Sequence, residues 1–344
     1  MVNTKIPNIL LIYTGGTIGM IKDYKTNALK AFNFKQIKDK IPELNLLDCT
    51  ISTIAFETPI DSSNMQAIHW VSIVDIIEDN YEKADGFVVL SGTDTMSYTA
   101  SAISFMLENL DKPVIFTGSQ LPIGDLRTDA KENLITAIQI AATREKKLPK
   151  ITEVCLYFEY KLYRANRTTK VSSEQFDAFS SPNYPTLGES GVYLNFNNEA
   201  LKKANPNKKL IVRRKIEANV VILKLFPGIS EVVIKSVLRI PELKGVILET
   251  FGSGNAPDSK WFIDLLKEAI EKNIQIVNVT QCIGGSVLLG HYETSHQLKK
   301  IGIIDGKDIT TESAIAKLKY LIGVNISYKK FRTIFETPLR GEMS

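Results

Sequence analysis

Short, nearly continuous apolar runs divide this sequence and constrain its fold more than any other feature. The runs are ILLIY (9–13), FVVL (87–90), VIF (114–116), VCLYF (154–158), VVILKLF (220–226), VILETF (246–251) and IQIVNV (274–279). They are rich in Val and Ile and do not alternate with polar residues. They therefore predict strands that are buried on both faces of parallel sheets.

Helical patterns lie between these runs and begin near Ser97, Asp129, Ser259 and Thr311. Asp129 and Glu132 have the spacing of a capping box, which marks the start of the second helix. Strands that alternate with helices predict an α/β fold with mainly parallel, doubly wound sheets.

The chain has 344 residues, more than a single core usually organises. Residues 191–219 are rich in Asn and Lys and interrupt the alternation of strands and helices, which favours a linker. We therefore expect a larger N-terminal α/β domain (1–190), a linker (191–219) and a smaller C-terminal α/β domain (220–344).

Composition excludes several classes of function. With 44% hydrophobic and 23% charged residues the chain should fold, and a net charge of +4 is too small to indicate nucleic-acid binding. The first apolar run is too short for a signal-peptide core or a membrane span, so we expect a cytoplasmic protein without a membrane partner. Three cysteines without a CxxC pair, and no HExxH motif, indicate neither a disulfide framework nor a metal site.

The residues that follow five of the predicted strands are small and polar: TGGTIG, SGTDT, TGSQLP, FGSGNAP and TQCIGG. Ligands of doubly wound sheets bind at the loops that leave the carboxyl ends of strands. Any single loop of this kind is also what an ordinary turn prefers. Five together favour a ligand site.

The type of chemistry can be narrowed further. TGGTIG fits neither GxGxxG nor GxxxxGK[ST], so a nucleotide site has little support. The chain has three histidines and no GxSxG motif, which disfavours a Ser-His-Asp hydrolase. A threonine hydroxyl can accept an acyl group when a base removes its proton, and Thr93 next to Asp94 provides suitable residue types.

Several longer motifs resemble a known family. YTGGTIG (13–19) and LSGTDTMSYTASAISFMLENLDKPVIFTGSQLP (90–122) are similar to the two signature segments of the bacterial-type L-asparaginases. LYRANRTTK (162–170), FDAFSSPN (176–183), GSGNAP and VTQC resemble the cytoplasmic type I branch in particular. The resemblance extends from about Asn8 to Glu342. It implies an asparaginase/glutaminase-like fold and an amidohydrolase that converts L-asparagine into L-aspartate and ammonia without a metal or organic cofactor.

The resemblance also implies roles for individual residues. Thr14 matches the family nucleophile, which forms an acyl-enzyme that water then releases. Thr93, Asp94 and Lys170 match the proton-handling residues. A lysine beside a carboxylate is suited to take a proton from a hydroxyl, a role that histidine usually fills.

Substrate contacts follow from the same comparison. Asp94 would pair with the α-ammonium of asparagine, and backbone N–H groups near Gly15 and Thr93 would stabilise the developing oxyanion. The expected binding loop contains Asp61, Ser62 and Ser63. Ser62 would hold the α-carboxylate, although Ser62 and Ser63 are equally suited to cap the helix that follows.

Asn255 resembles a residue that reaches the site from a neighbouring subunit, which implies a homodimer or homotetramer. The best-studied type I enzymes also have a second, allosteric asparagine pocket. Thr169 and Cys282 match that pocket, but Glu249 stands where the family has an arginine, which removes a partner for a carboxylate. We therefore expect hyperbolic kinetics. Tyr24 has the wrong spacing from Thr14 to match the flap tyrosine of periplasmic relatives.

Other readings remain open at this stage. One is an asparagine-binding sensor with the same pocket and little turnover, and another is an amidohydrolase with substantial glutaminase activity. The asparaginase-like subunit of archaeal glutamyl-tRNA amidotransferase shares these motifs, but it carries an additional amino-terminal domain, whereas the first motif here begins at residue 13. A nucleotide-binding protein is the weakest alternative.

Overall fold

The computed structural model describes residues 6–22, 29–31, 41–203, 207–291 and 293–344. The chain divides into two compact units, Met1–Arg214 and Lys215–Ser344. Each unit combines a sheet with helices, and the parallel strands predicted from the apolar runs are present in both. The predicted α/β class is confirmed.

An eight-stranded sheet forms the centre of the first unit. Its strands, in chain order, are β1 (Asn8–Tyr13), β2 (Thr50–Ala55), β3 (Gly86–Leu90), β4 (Val114–Thr117), β5 (Val154–Phe158), β6 (Lys161–Arg164), β9 (Gly188–Ser190) and β10 (Leu194–Phe196). The two remaining strands, β7 (Thr169–Lys170) and β8 (Phe179–Ser180), form a separate antiparallel pair. The order across the sheet is β10-β9-β6-β5-β4-β3-β1-β2. The five adjacent strands β2, β1, β3, β4 and β5 are parallel to one another. Strands β6, β9 and β10 extend the other edge of the sheet and pair in antiparallel fashion.

The four apolar runs of the first unit form β1, β3, β4 and β5. Every residue of β3, β4 and β5 is buried, as expected for central strands with helices on both faces. The edge strand β2 has no such run because its sequence TISTIA is partly exposed and half of its residues are polar. Parallel pairing brings the carboxyl ends of β1, β3 and β4 to the same edge of the sheet.

Within its described residues, the first unit also contains three α-helices and several short elements. The helices are α1 (Ala67–Asp79), α2 (Met96–Met106) and α3 (Ala130–Ala142); the 3-10 turns are Thr17–Gly19, Pro42–Leu46, Ser62–Asn64 and Ala165–Arg167; and the short pairs are Met20–Lys22 with Leu29–Ala31, Leu107–Glu108 with Ile211–Val212, and Arg144–Glu145 with Leu148–Pro149.

The second unit is built on four parallel strands in sequential order. These are β11 (Val220–Lys224), β12 (Gly245–Thr250), β13 (Gln275–Thr280) and β14 (Ile304–Asp305), with helices α4 (Glu231–Leu238), α5 (Lys260–Glu271), α6 (Glu293–Ile301), α7 (Thr311–Gly323) and α8 (Tyr328–Phe335). A fully buried ion pair joins Lys317 on α7 to Glu342, and the Lys317 ammonium also donates to the carbonyls of Phe335 and Thr337.

Two local expectations differ from the structure. Helix α3 does begin after Asp129, but the capping box is absent, because the Asp129 carboxylate accepts from the backbone of Gln120 and Leu121 instead. Within the stretch 191–219, Leu194–Phe196 joins the first sheet and Ile211–Val212 pairs with Leu107–Glu108. Part of the expected linker therefore belongs to the first unit.

Candidate active site

Thr14 is the first residue after β1 and is fully buried. Its backbone N–H and its hydroxyl both donate to the carbonyl of Leu90, the last residue of the adjacent strand β3, at 3.0 and 3.1 Å. Its own carbonyl accepts from the N–H of Ile60 at 2.8 Å. Thr14 is thus held between the end of β3 and the segment around Ile60.

The two glycines after Thr14 let the backbone of neighbouring loops approach closely. Gly15 and Gly16 have φ angles of 136° and 87°. A Cβ on Gly15 would lie 2.1 Å from the carbonyl oxygen of Ile60, and a Cβ on Gly16 would lie 2.3 Å from the backbone nitrogen of Gly92. Neither position accepts a side chain, so at these two glycines the neighbouring loops are in contact through backbone atoms.

Thr93 and Asp94 follow β3, and Lys170 ends β7. The Lys170 ammonium donates to the Thr93 hydroxyl oxygen at 2.8 Å and to Asp94 Oδ1 at 2.7 Å. The Lys170 side chain is 17% exposed, whereas that of Asp94 is 65% exposed. Asp94 therefore keeps an accessible carboxylate face for a cationic ligand while it holds the lysine.

A fourth side chain, not identified from the sequence, completes this group. The Thr93 hydroxyl donates to Gln120 Oε1 at 3.2 Å, and Gln120 Nε2 donates to the carbonyl of Gln175 at 3.0 Å. Gln120 lies in TGSQLP, one of the loops that the sequence singled out after β4. The sequence therefore predicts this loop as part of a ligand site, but nothing in the sequence distinguishes the Gln120 amide from the other polar residues of the loop.

The predicted substrate-binding loop forms a 3-10 turn, Ser62–Asn64. Asp61 caps this turn, with its Oδ1 accepting from the N–H and the hydroxyl of Ser63 at 2.9 and 2.8 Å. These hydrogen bonds lower the pKa of Asp61 and keep it ionised. Ser62 is 4% exposed and lies so close to Gly92 that a Cβ there would come within 2.5 Å of its hydroxyl.

Tyr13 is the tyrosine next to Thr14 in sequence, but it is a poor candidate for a base. It is 1% exposed, and burial raises its pKa to about 12. Its ring lies where a side chain at Gly19 would otherwise be. Tyr24 lies outside the described residues.

The remaining predicted residues are distributed over both units. Thr169 precedes Lys170 on β7 in the first unit. In the second unit, the carbonyl of Asn255 accepts from the N–H of Phe251 at 2.9 Å, and Cys282 is exposed, with its N–H on Thr280 Oγ1.

Glu249 has partners of its own within the second unit. Its carboxylate accepts from the Thr311 hydroxyl at 2.7 Å and pairs with Lys224 at 3.5 Å. Its side chain is 12% exposed. The Glu249 carboxylate is therefore engaged by neighbouring side chains.

The described part of the chain holds no group of three or more His, Cys, Asp or Glu side chains that could hold a metal ion. Among the helices within the described ranges, none combines the length and apolarity needed to cross a membrane.

Taken together, the first unit combines a buried threonine beside glycines with a second threonine hydrogen-bonded to a lysine–carboxylate pair. The first can act as a nucleophile, and the second lies within hydrogen-bond reach of a group that accepts or donates a proton. Asp94 and Ser62 add a charged and a polar side chain close to the same loop after β3.

Comparison with known proteins agrees with this assembly. Residues 8–202 match the family model "Asparaginase, N-terminal", and residues 219–335 match "Glutaminase/Asparaginase C-terminal domain". L-asparaginase 1 of Escherichia coli K12 is 41% identical over 338 residues, which cover 98% of both chains. The crystal structure of L-asparaginase I from Vibrio cholerae superposes with a TM-score of 0.90 at 40% identity, covering 98% of this chain and 99% of that one.

A mouse relative carries a different name. The 60 kDa lysophospholipase of Mus musculus is 39% identical over 358 residues, which cover 98% of this chain and 62% of the relative. Both family models and the whole-chain identity nevertheless agree in one assignment: the chain belongs to the asparaginase/glutaminase family.

Proposed function

We propose that this chain is an L-asparaginase, an amidohydrolase that converts L-asparagine and water into L-aspartate and ammonia. The observation that carries the proposal is the contact of Lys170 with both Thr93 and Asp94, at 2.8 and 2.7 Å, beside the threonine loop that follows β1. Relatives named L-asparaginase that align over 98% of the chain support it.

The reaction proceeds in two steps. The Thr14 hydroxyl oxygen attacks the side-chain amide carbon of asparagine, the C–N bond breaks, and the proton lost by Thr14 leaves on nitrogen as ammonia. Water then attacks the resulting ester, and Thr93 and Lys170 take up its proton and return one to the Thr14 oxygen. These steps need no metal or organic cofactor.

Substrate recognition uses the charged and polar groups around Thr14. Asp94 pairs with the α-ammonium, and Ser62, in the loop that also holds Asp61 and Ser63, binds the α-carboxylate. Backbone N–H groups near Gly15 and Thr93 stabilise the oxyanion. Such preorganised donors typically contribute ~3 kcal/mol each to lowering the barrier.

The assembly and location belong to the same proposal. Asn255 completes the site of a neighbouring subunit, so the active form is a homodimer or a homotetramer. The resemblance of residues 162–183 to the cytoplasmic type I branch supports a cytoplasmic enzyme.

Ammonia release from L-asparagine tests the function. The wild-type protein should release ammonia and a Thr14→Ala variant should not, while Thr333→Ala, an exposed threonine on α8, should leave the rate unchanged. A wild-type protein that binds asparagine without releasing ammonia would instead be a sensor.

The balance between asparagine and glutamine needs a separate measurement. One methylene separates the two amides, and pockets discriminate such a difference by only ~1–3 kcal/mol. We expect kcat/KM to favour asparagine, and comparable values for both amides would show substantial glutaminase activity. A relative of 39% identity is named for another reaction. An activity assay therefore tests the substrate of this chain more directly than further sequence comparison does.

A further inference from the structure

Gln120, in the loop that follows β4, joins two parts of the site that are distant in sequence. Its Oε1 accepts from the Thr93 hydroxyl at 3.2 Å, and its Nε2 donates to the carbonyl of Gln175 at 3.0 Å. An amide has one accepting and one donating end, so these two contacts fix its orientation. Building on the proposed function, we propose that Gln120 is a positioning residue that orients the Thr93 hydroxyl toward Lys170.

The Thr93 hydroxyl has a single hydrogen. This hydrogen is directed to Gln120 Oε1, which leaves the oxygen lone pairs free to accept from the Lys170 ammonium at 2.8 Å. Without an acceptor at Gln120, the hydroxyl would rotate among other orientations. Gln120 thereby selects the one in which Thr93 and Lys170 can exchange a proton.

Gln120 also restrains the segment that carries Lys170. Gln175 lies five residues after Lys170, in the loop between β7 and β8. The hydrogen bond from Gln120 therefore connects this loop to the end of β4. The distance between Thr93 and Lys170 depends on both loops, so one side chain controls both orientation and spacing.

The backbone of Gln120 is itself held by a buried carboxylate. Asp129, which is 5% exposed, accepts from the N–H of Gln120 at 3.1 and 2.9 Å and from that of Leu121 at 3.1 Å. Asn133 Nδ2 donates to Asp129 Oδ2 at 3.2 Å and to the carbonyl of Gly118 at 3.1 Å. Asp129, which the sequence predicts as a helix cap, thus holds the Gln120 loop in place before substrate binds, as a preorganised site requires.

Steady-state kinetics of a Gln120→Met variant test the proposal. Methionine has nearly the same length but makes neither hydrogen bond, so kcat for asparagine should fall about tenfold while KM changes less than about threefold. Gln120→Glu keeps an oxygen acceptor for Thr93 and should recover part of the loss. Gln139→Met, an exposed glutamine on α3, is the matched control and should behave like wild type.

A double-mutant cycle separates positioning from a structural effect. If Gln120 acts through Thr93, the variant carrying both Gln120→Met and Thr93→Val should be no slower than Thr93→Val alone. Additive losses would overturn the proposal, and so would an unchanged kcat in Gln120→Met or equal losses in the Met and Glu variants. An inactive wild-type protein would instead refute the proposed function, so the two failures are distinguishable.

Discussion

The ammonium nitrogen of Lys170 lies 2.8 Å from the hydroxyl oxygen of Thr93, in a pair whose members are 77 residues apart in sequence. The lysine's second partner, Asp94, is next to Thr93 in sequence and accepts at 2.7 Å. One side chain with several donors thus binds a hydroxyl and a carboxylate together. In Ser-His-Asp hydrolases, a histidine lies between the hydroxyl and the carboxylate in the same way.

Removing the lysine should affect turnover more than folding. We expect Lys170→Met to lower kcat for asparagine roughly 100- to 10,000-fold, because Thr93 loses its proton partner. The matched control is Lys161→Met, which removes an exposed lysine paired with Asp177 at 3.4 Å. Ammonia release measures both. A Lys170→Met variant as active as the control would contradict the assignment.

Glycine substitutions should separate backbone strain from steric clash. Gly16→Ala combines a φ of 87° with a Cβ 2.3 Å from the nitrogen of Gly92, whereas Gly228→Ala has the same φ of 87° and open space. We expect Gly228→Ala to lower the free energy of unfolding by about 1–2 kcal/mol, and Gly16→Ala to lower it further and to reduce activity. Denaturant unfolding compares them, with Gly191→Ala, which meets nothing within 4 Å, as the reference.

The dependence of rate on asparagine concentration should be hyperbolic. From the resemblance to type I enzymes, we expect Glu249 to stand where a second asparagine would need a cation, and its carboxylate is already bound to Thr311 and Lys224. Initial rates measured from well below to well above KM should give a Hill coefficient of about 1. Sigmoidal rates would show that another residue replaces the missing arginine.

The buried pair of Lys317 and Glu342 should make stability depend on pH. Burial alone would raise the pKa of Glu342, but Lys317 and the N–H groups of Leu339 and Arg340 outweigh it and lower the pKa. Its contribution is therefore complete above the ordinary value of 4.5 and is lost as the pH falls through the lowered value.

Replacing the carboxylate tests this. Glu342→Gln leaves the Lys317 charge buried without its partner, so the free energy of unfolding at pH 7 should fall by about 3–5 kcal/mol. The difference from wild type should narrow as the pH drops below 4.5. Glu271→Gln, an exposed glutamate on α5, should be nearly neutral throughout. A loss that is independent of pH would contradict the electrostatic explanation.

The central strands were predictable because their physical signal is local. A strand with helices on both faces must be apolar along its whole length, as FVVL and VCLYF are. The half-exposed strand Thr50–Ala55 carries no such signal, and its pairing with Asn8–Tyr13 depends on the completed sheet. The antiparallel edge formed by Gly188–Ser190 and Leu194–Phe196 was missed for the same reason.

The site residues also differ in whether their signal is local in the sequence. Thr14, Thr93, Asp94 and Lys170 belong to long family motifs and could be assigned expected roles from the sequence. Gln120 could not, because its partners Thr93 and Gln175 are 27 and 55 residues away and only the folded chain brings them together. Asp129 was misread as part of a capping box, since its spacing to Glu132 is right but its carboxylate is used by the preceding loop.

The backbone contacts among residues 14–16, 60–62 and 91–93 restrict how this site can be redesigned. At Gly15 and Gly16 the backbone of a neighbouring loop fills the space that a Cβ would need, so these two positions offer no side chain that substitution could enlarge, shrink or recharge. A directed-evolution library aimed at glutamine or at longer amides should leave these glycines fixed. It should vary Ser63 and Gln175 instead, where side chains at the periphery can change without displacing the backbone around Thr14.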